Sequence, residues 1–168
     1  MPVLPLDTIE KLVIAAVLGA ILGAERDITG RPAGLRTNML IAVSSCLFTL
    51  LSTTGFDQGG GGYDPSRIAS QIVTGVGFLG AGALIHNRNQ IIGLTTAADI
   101  WLVAAVGMAV GIGWYAVAVF ATLFCVAALI LLKPLSHAID NLAVDQRTSS
   151  ARRSSITLRR TAKPKRRR

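Results

Sequence analysis

The chain has 168 residues, enough for one domain, and its 51% hydrophobic content with a mean hydropathy of +0.54 exceeds that of an ordinary soluble globule. Its net charge of +8 comes from one end: ten of the seventeen Lys and Arg lie between Arg147 and Arg168, where there is no acid, while residues 1–146 carry seven basic and nine acidic side chains. Two cysteines, Cys46 and Cys125, sit inside apolar runs as small hydrophobes, which excludes a disulfide framework or a cysteine metal motif.

Five apolar segments follow one another, each near the ~20 residues that cross a ~30 Å hydrocarbon core. They run over residues 9–24, 37–53, 68–85, 96–111 and 114–132. Helix is the expected state, because lipid cannot satisfy an open backbone and none of the segments alternates like a barrel strand. The first run should be retained, since Met1 to Glu10 lacks a basic n-region and carries Asp7 and Glu10 instead. Start signals fit: Asp7-Thr8-Ile9-Glu10 for the first helix, Asp64 before Pro65 for the third, and Thr96-Ala97-Ala98-Asp99 as a capping box for the fourth. Thr54 to Tyr63, with Gly59 to Gly62 in a row, reads as a flexible loop.

Lys and Arg placement sets orientation. With the N-terminus outside, the inner segments hold Arg26, Arg31, Arg36, Arg88 and the eleven basic residues from Lys133 onward, against Lys11 and Arg67 outside. The expected architecture is an all-α bundle of five transmembrane helices, N-terminus out and C-terminus cytoplasmic. It divides into a transmembrane domain over 1–133, a short juxtamembrane helical extension over 134–146 and a disordered basic tail over 147–168.

In the third segment Gly75-x-Gly77-x-x-Gly80, followed nineteen residues later by Asp99, outlines a dinucleotide fingerprint. That motif needs a strand before it and a βαβ unit around it; here it lies mid-span and the chain offers no strands. Close helix packing is the favoured reading for Gly75, Gly77, Gly80 and Gly82, as for Gly19-x-x-x-Gly23 and Gly107-x-x-x-Gly111. Ser70, Thr74, Gly77 and Ala81 make one small face. A kinked or unwound segment at Gly75 to Gly82 is the minority alternative.

GAILGAER (Gly19 to Arg26), PAGLRTNML (Pro32 to Leu40), DPSRIASQIVTGVGFLGAGALI (Asp64 to Ile85) and GLTTAADIWLVAAVGMAVGIGWY (Gly93 to Tyr115) together resemble the MgtC/SapB family of bacterial inner-membrane proteins. The resemblance implies a multi-pass protein of the inner (plasma) membrane associated with magnesium, growth in low magnesium, stress adaptation and survival inside host cells. Family members resemble modulators as much as carriers. Many add a C-terminal ACT-like domain, and the 36 residues after Leu132 suggest the short form without it.

Ionisable groups near spans are costly and so are candidates for function. Glu25 and Arg26 end the first helix, Arg36 and Asn38 begin the second, and Arg88, Thr95, Thr96 and Asp99 surround the start of the fourth. They form an expected inner polar cluster, weighed against simple pairing of Glu25 with Arg36 and capping by Thr96 and Asp99. Asp64, Arg67 and Gln71 make a smaller outer group, read as a structural clasp before a vestibule. A Mg²⁺ site would draw on Asp99, Glu25 or Asp64, with Thr95 and Asn38, although the arginines suit an anion equally well. His86 reads as an inert interfacial residue, and Trp101, Trp114 and Tyr115 as membrane anchors.

No nucleophile, base and orienter occur together, so no enzyme and no cofactor is expected. The basic tail is expected on anionic lipid, with RNA or an acidic protein partner as the second choice, and no nucleic acid is expected as a partner. A membrane-protein partner and a homodimer through the thin helix faces complete the partners. The sequence favours a regulator of another membrane complex, with a small Mg²⁺ or other ion transporter or channel as the runner-up.

Overall fold

The computed structural model describes residues 6–55, 64, 66–87 and 90–134. Five α-helices dominate it: α1 Leu6–Ile28, α2 Leu35–Leu50, α3 Ser66–Gly82, α4 Leu94–Gly111 and α5 Tyr115–Pro134. α2 runs on into a π-helical turn, Leu51–Gly55. Three stretches are long and apolar enough to cross a membrane: Leu35–Thr53, Leu94–Gly111 and Tyr115–Pro134. α1 is interrupted by charge at both ends, and α3 has 17 residues.

Several boundaries differ from the sequence expectation. α1 begins at Leu6, so Asp7 lies within its first turn and pairs with Lys11 at 3.3 Å instead of capping from outside. It also continues to Ile28, which carries Glu25, Arg26 and Asp27 on helix where lipid-length reasoning stops at Ala24. The third segment ends as a helix at Gly82, and Ile85–Asn87 pairs antiparallel with Gln90–Ile92, Ile85 opposite Ile92. The expectation of no strands is therefore corrected. A three-residue strand is too short to show a period, and an apolar run gives no other sign of it.

The chain divides into two compact units, residues 1–126 and 127–168. Within the first, α1 packs on α2, α2 on α4, and α3 on α4. Its core consists of Ala15, Leu18 and Leu22 of α1, Ile41, Ala42, Cys46 and Leu50 of α2, Ile72 and Val76 of α3, five residues of α4 from Ile100 to Val110, and Ala118 of α5. Of the second unit, residues 127–134 complete α5. The expected helical extension beyond Pro134 and the basic tail lie outside the described residues, as do Arg88 and the loop over 56–63.

Glycine sets how close α1, α2 and α4 come. A Cβ at Gly19 would stand 2.7 Å from the Asn38 carbonyl oxygen, and one at Gly23 would run into the Leu35 backbone. At Gly107 it would meet the Ala42 carbonyl, and at Gly111 it would lie 2.8 Å from Thr49 Cβ. Those obstacles are mostly backbone and cannot rotate away. α3 differs. Among the described residues nothing lies within 4 Å of a Cβ at Gly75, Gly77 or Gly82, and at Gly80 the nearest atom, on Ala97, is 3.6 Å away. Within one chain Gly75, Gly77 and Gly82 pack no neighbour, which corrects the packing expectation for them, while buried Gly80 meets Ala97 at ordinary contact distance, and the helix is unbroken through them.

Candidate functional site

Three helix ends converge on one buried polar junction. Glu25 and Arg26 occupy the last turns of α1, Asn38 is the fourth residue of α2, and Thr96 and Asp99 are the third and sixth of α4. All five are buried, with Asn38 at 0% and Arg26, Thr96 and Asp99 each at 3% exposure. Their positions follow from the glycine contacts: Gly19 and Gly23 seat α1 on α2 one and two turns before Arg26, and Gly107 seats α2 on α4.

The contacts form a chain across 70 residues of sequence. Arg26 Nη2 donates to Thr96 Oγ1 at 2.6 Å, and Arg26 Nε stands 3.7 Å from Asp99 Oδ2. Asn38 Nδ2 donates to the same Asp99 oxygen at 3.0 Å. A carboxylate accepts only, so the Asn38 amide must turn its NH₂ group toward Asp99, which leaves Asn38 Oδ1 without a donor. Among the described residues, Glu25 Oε2, Asn38 Oδ1 and Asp99 Oδ1 are buried acceptors with no hydrogen bond, and Arg26 Nε is a buried donor without one.

The capping-box expectation at Thr96 to Asp99 is corrected by this geometry. The α4 N-cap is Gly93 at φ 101°, where a side chain would strike the Ala83 carbonyl. Thr96 and Asp99 are thus inside the helix, and both are directed at Arg26. Arg36 and Thr95, expected in the same cluster, are exposed, so the pairing of Glu25 with Arg36 does not form. Arg88 lies outside the described residues.

Two neighbours escaped sequence reasoning. Asp27 Oδ2 accepts from the Leu35 backbone N at 3.0 Å and so caps α2 from the end of α1. The signal was available: Gly34 at the N-cap has no side chain to offer, so a cap must come from elsewhere. Cys125, on α5, lies within electrostatic reach of Asp99, Glu25 and Arg26. Nothing in an apolar run predicts that.

The outer residues are loosely joined. Asp64 Oδ1 accepts from Ser66 N at 2.9 Å and Ser66 Oγ at 2.7 Å, a cap on α3. Those bonds hold its carboxyl below the usual range. Arg67 is exposed next to it. Gln71 does not join them; it lines a cavity of about 480 Å³ between α2 and α3 with Leu40, Phe48, Ile72 and Gly75.

A resident Mg²⁺ does not fit this junction. That ion demands near-octahedral oxygen and keeps several waters. Asp99 Oδ2 is already shared by an amide and a guanidinium, and among the described residues no group of three His, Cys, Asp or Glu converges.

Long apolar helices around a buried charged junction define a class: a mainly helical membrane protein whose buried charged side chains, among the described residues, lie where three helices meet. The chain belongs to the MgtC family, which it matches over residues 12–138. It is 42% identical over 139 residues to "Putative magnesium transporter YhiD" of Escherichia coli, covering 80% of this chain and 65% of that protein. It is 43% identical over 134 residues to "Protein MgtC" of Salmonella choleraesuis, covering 79% and 55%, and 40% identical over 135 residues to an uncharacterized protein of Haemophilus influenzae, covering 74% and 55%. The match thus takes in under two thirds of these curated relatives' own lengths. No solved structure matches the chain.

Proposed function

We propose that the chain is a multi-pass bacterial inner-membrane regulator in magnesium homeostasis and in adaptation to low Mg²⁺ or envelope stress, acting through contacts with another membrane complex. In this reading all five helices span, N-terminus outside and C-terminus cytoplasmic. α1 and α3 reach about 35 and 26 Å at ~1.5 Å per residue, so α3 spans only with local thinning or snorkelling at its ends. The junction then lies at the cytoplasmic level. The basic residues from Arg147 onward bind anionic lipid, and the open glycine face of α3 meets a partner or a second copy.

The observation that carries the reading is Arg26. A guanidinium buried among Thr96, Asn38 and Asp99 takes up the carboxylate a translocated Mg²⁺ would need, which suits a joint that holds helices in register better than a path. Co-purification tests it. From detergent-solubilised membranes of cells grown in low Mg²⁺, the tagged chain should bring down a membrane complex at fixed stoichiometry, and recovery of the chain alone would contradict a regulator.

The second reading, a carrier or channel for Mg²⁺ or another ion, is favoured by the three free buried acceptors at the junction.

A further inference from the structure

Taken with both acids ionised, the junction's charges among the described residues do not balance. Among the described residues it holds two carboxylates, Glu25 and Asp99, and one guanidinium, Arg26, each at least nine-tenths buried. That leaves one negative charge in excess in a medium where an uncompensated ion is expensive. The hydrogen-bond inventory leans the same way. Three orphaned atoms are acceptors, Glu25 Oε2, Asn38 Oδ1 and Asp99 Oδ1, against one orphaned donor, Arg26 Nε. Asn38 matters most, because it is a neutral side chain with 0% exposure whose amide is already bonded to Asp99, so its bare oxygen is held beside that carboxylate.

We propose that this junction binds one monovalent alkali cation, of which sodium is the representative. A single positive charge neutralises the excess, and Glu25, Asn38 and Asp99, from α1, α2 and α4, each offer one buried, unpartnered oxygen of the hard kind such an ion takes. A divalent ion would reverse the charge beside a guanidinium. A water molecule would leave the charge unbalanced, and a proton on one acid would balance it but leave the remaining acceptors bare, in which case the four salts below give equal midpoints. The cation pins three helices together, as midplane sodium sites do in other helical membrane proteins. The site does not depend on the regulatory reading: a regulator and a carrier could each hold it, and binding is measured separately from flux.

The test is the thermal unfolding midpoint of the purified full chain in detergent, in sodium, potassium, magnesium or choline chloride at matched ionic strength. Sodium or potassium should raise the midpoint by about 4–8 °C at saturation relative to choline. Glu25→Gln brings the junction to neutrality without disturbing the Arg26–Asp99 pair, so it should fold and lose the shift, while Glu10→Gln on the exposed start of α1 should keep it. Asp99→Asn should also lose it. Equal midpoints in all four salts, a shift given by magnesium alone, or a full sodium shift in Glu25→Gln would each overturn the proposal.

Discussion

Asn38 Nδ2 and Asp99 Oδ2, 61 positions apart in sequence, meet at 3.0 Å with both side chains buried, and this bond fixes α2 against α4 at the same level where Arg26 arrives from α1. Because Asp99 Oδ2 serves both partners, removing the carboxylate frees two polar groups at once. Asp99→Leu should destabilise the chain by about 3–5 kcal/mol, the range for breaking a buried pair from one side. The double variant with Asn38→Leu, which removes the amide left without its carboxylate, should recover part of that loss. Unfolding by SDS titration in mixed micelles reads both, and equal stability of the two variants would mean that the pair is not coupled.

The glycines separate into two groups with opposite expected effects. Gly107→Ala drives a methyl into the Ala42 carbonyl, and since backbone cannot swing aside, it should cost at least the ~1–3 kcal/mol of ordinary overpacking. Gly77→Ala meets open space on α3 and should be neutral or stabilising by up to ~1 kcal/mol, the helix propensity difference. The yield and unfolding midpoint of monodisperse protein distinguish them. Gly77→Leu is the sharper variant: if it alters only self-association, the open face is an interface between copies.

Acid should loosen α3 from its N-terminus. The Asp64 carboxyl is lowered by its two hydrogen bonds from Ser66, so its stabilising effect is present above the unfolded-state pKa and is lost as pH falls through the lower folded value. Hydrogen exchange at the amides from Ser66 to Ile68 should accelerate over that acidic window relative to the α4 amides. Asp64→Ala should show the fast rate at every pH.

Topology has its own outcome. If five helices span, a single cysteine placed at Lys11 in a chain lacking Cys46 and Cys125 should be labelled by an impermeant maleimide in intact cells, while one placed in the residues 147–168 tail should not. With only the three longest helices crossing, the two termini would still face opposite sides, so a cysteine at Arg31, between α1 and α2, tells the cases apart: it should be shielded with five spans and labelled with three.

How much of this was legible depends on what each residue signals. The five long apolar runs mark five helices because lipid permits little else, and the depth of Glu25, Arg26, Asn38, Thr96 and Asp99 at span ends marks them as unusual. Depth does not fix rotation. Arg36 and Thr95 lie at the same level yet face outward, and a helix that is apolar nearly all round carries no phase by which to tell them from Asn38 and Thr96. Asp99 was also readable as a local cap, and only the left-handed backbone at Gly93, set by the Ala83 carbonyl, moves the helix start far enough to exclude it. The same limit applies to glycine, since GxxxG at Gly107 and the repeated glycines from Gly75 to Gly82 look alike until a neighbour is placed against one and not the other.

If the proposed regulator reading holds, the buried charges of this MgtC-family chain form a joint and conduct no ion. Purified full-length chain reconstituted into liposomes loaded with a Mg²⁺-sensitive dye tests it directly. Mg²⁺ entry should be no faster than in protein-free vesicles, across an imposed gradient and membrane potential. Entry well above that level, abolished by Asp99→Asn in protein that remains folded, would contradict it.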